Sequence, residues 1–274
     1  MPNRSRRTDA PIALLTDFGY RDHYAGVLHG VIASIAPAAR VIDITHGVPA
    51  QSVTAGALLL RESWRYFPKR TIFVAVVDPG VGTSRRPIAI ETSSGARFVG
   101  PDNGVLWLAA KQAGYRRAVE LRAPRFRLPE VSLTFHGRDV FAPAAAHLWL
   151  GAPFKALGPA LDSIDRVGLA AVEQSRDELR GTILYVDGFG NLISNIDRET
   201  FDRSLASFPR DILFVTIDGG SPIKLCDTYG DAPEGTPLAL FGSFHMLEIA
   251  VRDGCAAERL AAGAGAIVTV QIKR

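Results

Sequence analysis

The sequence predicts an α/β domain with a largely parallel, helix-flanked sheet, followed by a smaller β-rich domain. In the first half of the chain, short apolar runs of strand length alternate with longer stretches of helical spacing. These runs are continuously apolar, as is typical of parallel strands that helices cover on both faces. After about residue 165, strand patterns separated by glycine-rich turns dominate, which indicates a separate β-rich domain. We therefore predict an α/β domain over residues 1–165, a linker over 166–180 and a β-rich domain over 181–274.

The predicted elements follow in chain order. The first domain has predicted helices over residues 23–35, 52–66 and 139–150, and predicted strands over residues 12–15, 41–44, 71–77, 87–91, 97–99 and 118–121. The second has a short predicted helix over residues 256–261, and predicted strands over residues 182–186, 192–196, 212–217, 237–241, 247–251 and 267–272. Open α/β sheets bind ligands beyond the carboxyl ends of their strands, so the residues that follow the strands are the first candidates for a site.

Composition predicts an ordinary globular protein and gives no support for a nucleic-acid partner. Of the 274 residues, 47% are hydrophobic and 22% are charged, which is enough for a sizeable core. The net charge of +3 is concentrated in Arg4, Arg6 and Arg7, so binding of nucleic acid is not predicted. No apolar run reaches the roughly 18–20 residues of a membrane span or follows the pattern of a signal peptide. Because two cysteines are too few for a disulfide framework or a thiolate metal cluster, we expect a cytoplasmic protein.

The segment after the third predicted strand, residues 78–86, carries the most informative spacing. Pro79 fixes one backbone angle, while Gly80 and Gly82 permit a tight turn, so the loop can return Arg85 to Asp78. A surface turn with an ordinary ion pair has the same spacing. A phosphate-binding loop is not predicted, because no Gly-Lys-Ser/Thr follows the glycines.

The histidines give weaker signals. His136 precedes a predicted helix, where it is either functional or an ordinary capping or packing residue. His23, His29 and His46 contain no His-x-x-x-His pair and match no zinc pattern, so no metal site is predicted. The turn at residues 187–191 contains Phe189 and Asn191, which a simple hairpin does not require.

Six segments occur in order along nearly the whole chain: Leu15-Thr16-Asp17-Phe18-Gly19, Val77-Asp78-Pro79-Gly80-Val81-Gly82-Thr83 with Arg85-Arg86, Gly100-Pro101-Asp102-Asn103-Gly104, Phe135-His136-Gly137-Arg138-Asp139 with Phe141-Ala142-Pro143, Asp187-Gly188-Phe189-Gly190-Asn191, and Gly242-Ser243-Phe244 with Leu247-Glu248-Ile249-Ala250. Together they resemble the S-adenosylmethionine (SAM) hydroxide adenosyltransferases, relatives of the bacterial fluorinase and chlorinase. There are two departures near the end of the chain. Gly254-Cys255-Ala256-Ala257 stands where the family has Gly-Asn-Ala-Ala, and His245-Met246 stands where smaller residues are common.

The resemblance implies hydrolysis of SAM to adenosine and methionine without a cofactor, a β-barrel-like second domain, and a homotrimer with its sites at subunit interfaces. It implies that Asp78, Arg85 and His136 hold the attacking water, and that Asp17 binds the ribose hydroxyls. The neighbouring subunit would recognise adenine and methionine through Phe189, Asn191, Ser243, Phe244 and Glu248. Because the halide-using relatives are expected to lack the Asp/Arg/His set, water is favoured over fluoride or chloride.

The chemistry of the set predicts a division of roles. An aspartate paired with arginine is a poor base but a good group for orienting water. We therefore predict that Asp78 and Arg85 place the water and that His136 takes its proton. Three alternatives stay open: a SAM- or adenosine-binding sensor without turnover, a SAM-dependent halogenase, and a hydrolase in which His136 and Asp139 serve a metal.

Overall fold

The computed structural model describes residues 8–205 and 207–272, so Arg4, Arg6 and Arg7 lie outside the described residues. Two compact units divide the chain between Gly168 and Leu169. We call them the N-terminal and C-terminal units. Among the described residues, no helix has the length and apolar character needed to cross a membrane.

The N-terminal unit alternates strands and helices over most of its length. Its helices are α1 (Tyr24–Ile35), α2 (Val53–Ser63), α3 (Trp107–Gln112) and α4 (Ala142–Trp149). Its strands are β1 (Ile12–Thr16), β2 (Val41–Thr45), β3 (Ile72–Val76), β4 (Pro87–Thr92), β5 (Arg97–Pro101), β6 (Tyr115–Glu120) and β7 (Ala160–Leu161). A π-helical turn, Gly137–Phe141, leads directly into α4 and starts just after His136.

These strands form one sheet in the order β2-β1-β3-β5-β4-β6-β7. The predicted α/β class is confirmed, but the sheet is mixed rather than largely parallel. Strands β2, β1, β3 and β5 pair in parallel, whereas β4, β6 and β7 add antiparallel pairs. β4 and β5 are antiparallel because the turn between Thr92 and Arg97 is too short for the crossover that a parallel pair requires.

The central strands lie in the core of the N-terminal unit. Every residue of β1 and β3 is buried, which explains why their sequences are apolar without alternation. Ile12 and Leu14 pack in one cluster with Leu28 and Ile32 of α1. Burial of each such side chain stabilises the fold by about 1.5–3 kcal/mol, so the ends of β1 and β3 are firmly positioned.

The C-terminal unit is built mainly from strands. Its helices are α5 (Arg198–Leu205) and α6 (Ala256–Arg259). Its strands are β8 (Glu173–Gln174), β9 (Glu178–Val186), β10 (Leu192–Asp197), β11 (Leu213–Ile217), β12 (Ile223–Leu225), β13 (Pro237–Phe241), β14 (Met246–Val251) and β15 (Ile267–Ile272). β9 pairs with β15 on one side and with β10 on the other, which closes a seven-stranded barrel. The β-barrel-like second domain is therefore confirmed.

Several elements differ from the sequence prediction. Strands β8 and β9 begin at Glu173 and Glu178, within the segment predicted as a linker over residues 166–180. The sequence patterns also do not predict α3, α5, β7 and β12. They are short or polar, and β12 has only three residues, so none carries a long hydrophobic period.

Candidate active site

A cavity of about 400 Å³ lies at the carboxyl ends of the parallel strands in the N-terminal unit. β1 ends at Thr16 and β3 at Val76, and the chain enters the cavity wall directly after each strand. The lining residues are Asp17, Phe18, Tyr24, Ala50, Gln51, Val76, Asp78, Pro79, Val81, Thr134, Phe135, His136 and Gly137. Open α/β sheets bind their ligands in this position, beyond the carboxyl ends of the strands.

Asp78, Arg85 and His136 form one hydrogen-bonded group at this cavity. Arg85 donates from Nε to Asp78 Oδ1 at 2.8 Å, and its Nη2 pairs with the second carboxylate oxygen. Arg85 Nη2 also lies 2.8 Å from His136 Nδ1. The side chains of Arg85 and Asp78 are 8% and 7% exposed, so the ion pair is not the surface pair that the spacing also allowed.

The loop that returns Arg85 to Asp78 is a pair of tight turns. The carbonyl of Asp78 accepts from Val81 N at 3.2 Å, and that of Gly80 accepts from Thr83 N at 3.1 Å. Gly82 has φ of +79°, and a Cβ there would lie 2.8 Å from the carbonyl oxygen of Leu133. A glycine is therefore required at position 82, both for its backbone angle and for the close approach.

The protonation state of His136 follows from its partner. Arginine has only donors, so His136 Nδ1 accepts the hydrogen bond from Arg85 and the ring proton is on Nε2. Burial, and then the charge of Arg85, hold the pKa of His136 below its usual 6.5, and Asp78 offsets only part of this. A neutral ring with Nε2–H is a hydrogen-bond donor. This geometry argues against our prediction that His136 takes the proton from water.

Asp17 and an aromatic wall complete the cavity. Asp17 Oδ2 accepts from Gln51 N at 2.8 Å, which fixes the carboxylate at the end of β1. Phe18, Tyr24 and Phe135 contact one another with ring centroids 5.2–5.9 Å apart. The sequence patterns predict no role for these three rings, although Phe18 and Phe135 belong to the family segments.

A second cavity, of about 470 Å³, lies in the C-terminal unit. Its lining includes the predicted residues Phe189 and Asn191 together with Tyr229. Phe189 is 82% exposed, whereas Asn191 is buried and donates from Nδ2 to Asp187 Oδ2 at 3.1 Å. The turn at residues 187–191 therefore presents an aromatic face and an amide from a fixed backbone.

Glu248 is connected to this second cavity through a residue that sequence reasoning missed. Tyr229 Oη donates to Glu248 Oε1 at 2.6 Å, and Glu248 is only 6% exposed. Burial raises the pKa of Glu248, and the hydrogen bond from Tyr229 offsets part of the rise. Ser243 and Phe244 lie in the turn between β13 and β14 and are not among the residues that line this cavity. No sequence pattern points to Tyr229, because it lies in a short 3-10 turn, 19 positions before Glu248.

The sheet, the charged cavity at its carboxyl edge and the closed barrel together define a two-unit α/β enzyme class. Residues 12–158 match the SAM hydroxide adenosyltransferase N-terminal domain, and residues 181–269 match the C-terminal domain of the same family. The chain belongs to the SAM hydroxide adenosyltransferase family. The resemblance carried by the six sequence segments is thereby confirmed.

Relatives cover nearly the whole chain. An (R)-S-adenosyl-L-methionine hydrolase of Thermus thermophilus is 40% identical over 260 residues, covering 91% of this chain and 95% of the relative. One from Salinispora arenicola is 41% identical, covering 93% and 95%. A fluorinase of Nocardia brasiliensis is 29% identical, covering 87% and 89%. Among solved structures, a conserved protein of Thermotoga maritima matches with a TM-score of 0.88 and 35% identity, covering 95% of this chain and 99% of that one.

Proposed function

We propose that this protein hydrolyses S-adenosyl-L-methionine to adenosine and L-methionine, without a cofactor. The observation that carries the proposal is the hydrogen-bonded Asp78–Arg85–His136 group at a cavity that Asp17 also lines. The (R)-SAM hydrolases that are 35–41% identical to the chain support the same reaction. They also support a preference for the (R) epimer at sulfur.

In the proposed reaction, a water oxygen attacks the ribose C5′ in line with the departing sulfur. The C5′–O bond forms as the C5′–S bond breaks. The electron pair of the broken bond stays on sulfur, which becomes the neutral thioether of methionine. A sulfonium needs no acid to leave, so the site has only to place the water and accept one proton. Correct placement accounts for a large part of such a rate enhancement, up to about 7–11 kcal/mol.

We assign the proton to Asp78 rather than to His136. The attacking oxygen becomes a protonated alcohol as the bond forms, which is a far stronger acid than a carboxylic acid. Transfer to Asp78 is therefore favourable even though Arg85 pairs with that carboxylate. His136, with its proton on Nε2, donates a hydrogen bond that orients the water. Arg85 holds both side chains, and its buried Nη1 has no hydrogen-bond partner among the described residues.

The remaining assignments concern the substrate. Asp17 accepts hydrogen bonds from the ribose hydroxyls, and the rings of Phe18, Tyr24 and Phe135 form an apolar wall beside it. By family resemblance, the chain forms a homotrimer in which a neighbouring subunit recognises adenine and methionine through Phe189, Asn191, Ser243, Phe244 and Glu248. A cytoplasmic location is also part of the proposal, and the free thiols of Cys226 and Cys255 support it.

The test is to incubate the purified chain separately with the (R) and (S) epimers of SAM and to follow adenosine and methionine by chromatography. We expect equal amounts of the two products, formed faster from the (R) epimer, and no haloadenosine when fluoride or chloride is added. Binding without either product would identify a sensor instead of an enzyme. Haloadenosine formation would identify a halogenase.

A further inference from the structure

Three side chains of the N-terminal unit meet outside the candidate active site: His29 from α1, Asp43 from β2, and His46 just after β2. His29 Nε2 lies 2.8 Å from Asp43 Oδ1, and His46 Nε2 lies 3.1 Å from the same oxygen. One possible ligand atom from each residue lies within 4.8 Å of the other two. None of the three residues lines the cavity that carries Asp78.

His46 is the buried member of this cluster, and one of its ring nitrogens lacks a well-formed hydrogen bond. His46 is completely buried, and its Nε2 lies 3.1 Å from Asp43 Oδ1 without forming a hydrogen bond of good geometry to any described residue. Leaving a buried ring nitrogen without a good hydrogen bond is unfavourable. The other ring nitrogen, Nδ1, lies 2.7 Å from Thr16 Oγ1. If Nδ1–H donates to that hydroxyl, the lone pair of Nε2 faces the carboxylate, and a cation would satisfy both.

We propose that His29 Nε2, Asp43 Oδ1 and His46 Nε2 bind a divalent first-row transition-metal ion such as Zn²⁺ or Co²⁺. Two adjacent ligands at about 2.1 Å from one ion lie about 3.0 Å apart in octahedral geometry and about 3.4 Å apart in tetrahedral geometry. The two nitrogen–oxygen separations, 2.8 and 3.1 Å, are already close to these values, and the three ligand atoms all lie within 4.8 Å of one another. Two imidazoles and one carboxylate suit such ions and leave positions for water.

The surroundings of the proposed site are those of a typical metal centre. Histidine ligands commonly donate their second ring N–H to a nearby oxygen, as His46 would to Thr16. Tyr20 Oη lies 3.4 Å from Asp43 Oδ2, the oxygen not used for the ion. The side chain of His29 is 38% exposed, which gives the ion a path from solvent. Histidine spacing alone did not predict this site, because Asp43 supplies the third ligand in place of His23.

The ion would stabilise the structure beside the candidate active site and would take no part in the proposed hydrolysis. Thr16 Oγ1 accepts from Phe18 N at 3.2 Å, and Asp17 stands between these two residues. A metal on His46 would therefore fix the imidazole that supports the Thr16–Phe18 segment. No step of the hydrolysis passes through it.

The test uses the full chain without a polyhistidine tag, after removal of bound metal with a chelator. Co²⁺ is titrated and followed by visible absorption, and Zn²⁺ binding is measured by calorimetry. We expect one equivalent of ion per chain, with affinity reduced at least about tenfold in His29→Gln and in Asp43→Asn. The matched control is His147→Gln, a half-buried histidine on α4 outside the cluster, which is expected to bind as the wild type does.

Two results would overturn the proposal. One is the absence of saturable binding by the wild type, which would leave a proton shared between the imidazoles and Asp43. The other is unchanged affinity in both variants. Circular dichroism checks that the variants fold. If either variant does not fold, X-ray absorption of the Co²⁺-loaded wild type is the deciding measurement. The proposal requires that spectrum to show two imidazole ligands on the ion.

Discussion

Asp78 is the residue on which the proposed chemistry depends most directly. Asp78→Asn keeps the size of the side chain but removes its charge and its basicity. We expect kcat for SAM hydrolysis to fall by at least about 10²-fold, with KM changed only a few-fold, because the carboxylate acts on water rather than on substrate. Asp162→Asn, an exposed acid of the same unit, is the matched control. An equal loss of binding and turnover in Asp78→Asn would make Asp78 a binding residue.

His136 predicts the pH dependence of the reaction. Its pKa lies below 6.5, so the neutral ring that accepts from Arg85 persists until the pH falls below that value. Protonation at Nδ1 then places a charged imidazole beside the Arg85 guanidinium and breaks the hydrogen bond between them. We expect an acidic limb in the kcat profile with its midpoint below pH 6.5, and its loss in His136→Gln. A midpoint above 6.5, or a limb unchanged in that variant, would contradict this account.

The same shift has a consequence for stability. Because the folded state holds His136 neutral at pH values where the unfolded chain binds a proton, lowering the pH through this range favours unfolding. The contribution of His136 to the unfolding free energy is therefore lost as pH falls from about 6.5 toward the lower folded pKa. It is fully present at neutral and alkaline pH.

Residue-level prediction from the sequence succeeded where the spacing itself sets the contact. The turn glycines imply that the chain returns Arg85 to Asp78, and the structure has that ion pair. The tautomer of His136 was beyond reach, because it depends on the direction from which Arg85, 51 positions away, approaches the ring. The site roles of Asp17 and of the C-terminal residues remain predictions.

At the scale of the element, the loop after β3 has a specific requirement at Gly82. Gly82→Ala is expected to lower the unfolding free energy by about 1–3 kcal/mol and to reduce kcat, since the loop must move and Arg85 moves with it. Gly30→Ala is the control, because a Cβ there meets nothing within 4 Å and it lies inside α1. That change should stabilise the protein by about 0.5–1 kcal/mol. Thermal unfolding and steady-state kinetics of both variants provide the comparison.

The turn that carries Tyr229 gives a second prediction at this scale. Tyr229→Phe removes the hydrogen bond to the buried Glu248, whose pKa then rises further because that bond lowers it. If the second cavity binds substrate, KM for SAM should increase about fivefold to thirtyfold, equivalent to about 1–2 kcal/mol, with a smaller effect on kcat. Tyr66→Phe, on a 77% exposed tyrosine, is the control. An unchanged KM would remove Glu248 and Tyr229 from the substrate site.

Element prediction was most successful where burial imposes a simple pattern. β1 and β3 are buried throughout, and their continuous apolar runs marked them clearly. The antiparallel half of the sheet was not recognised, because strand direction depends on connection length rather than on composition. The polar α5 and the three-residue β12 are held by packing in the C-terminal unit, which a local pattern does not contain.

At the scale of the whole molecule, the proposed homotrimer makes a quantitative prediction. Asp78→Ala and Asn191→Ala should each be inactive. If each site combines residues of two subunits, mixing the unfolded variants and refolding them together gives about a quarter of the sites an unaltered composition. We expect activity to return to about a quarter of the wild-type value, and light scattering to report a trimer. No recovery despite mixed assembly would place both residues in a site supplied by one subunit.

The closed barrel also affects how the protein behaves when it is concentrated or partly unfolded. Each of its seven strands has hydrogen-bonded neighbours on two sides, so it offers little unpaired backbone to another chain. The open sheet differs, because β2 ends it on one side with Ile42 39% exposed, whereas β7 ends the other side with only two residues. Edge strands are templates for intermolecular pairing, and short ones are poor templates. Aggregation should therefore begin at β2, and solubility is best improved there.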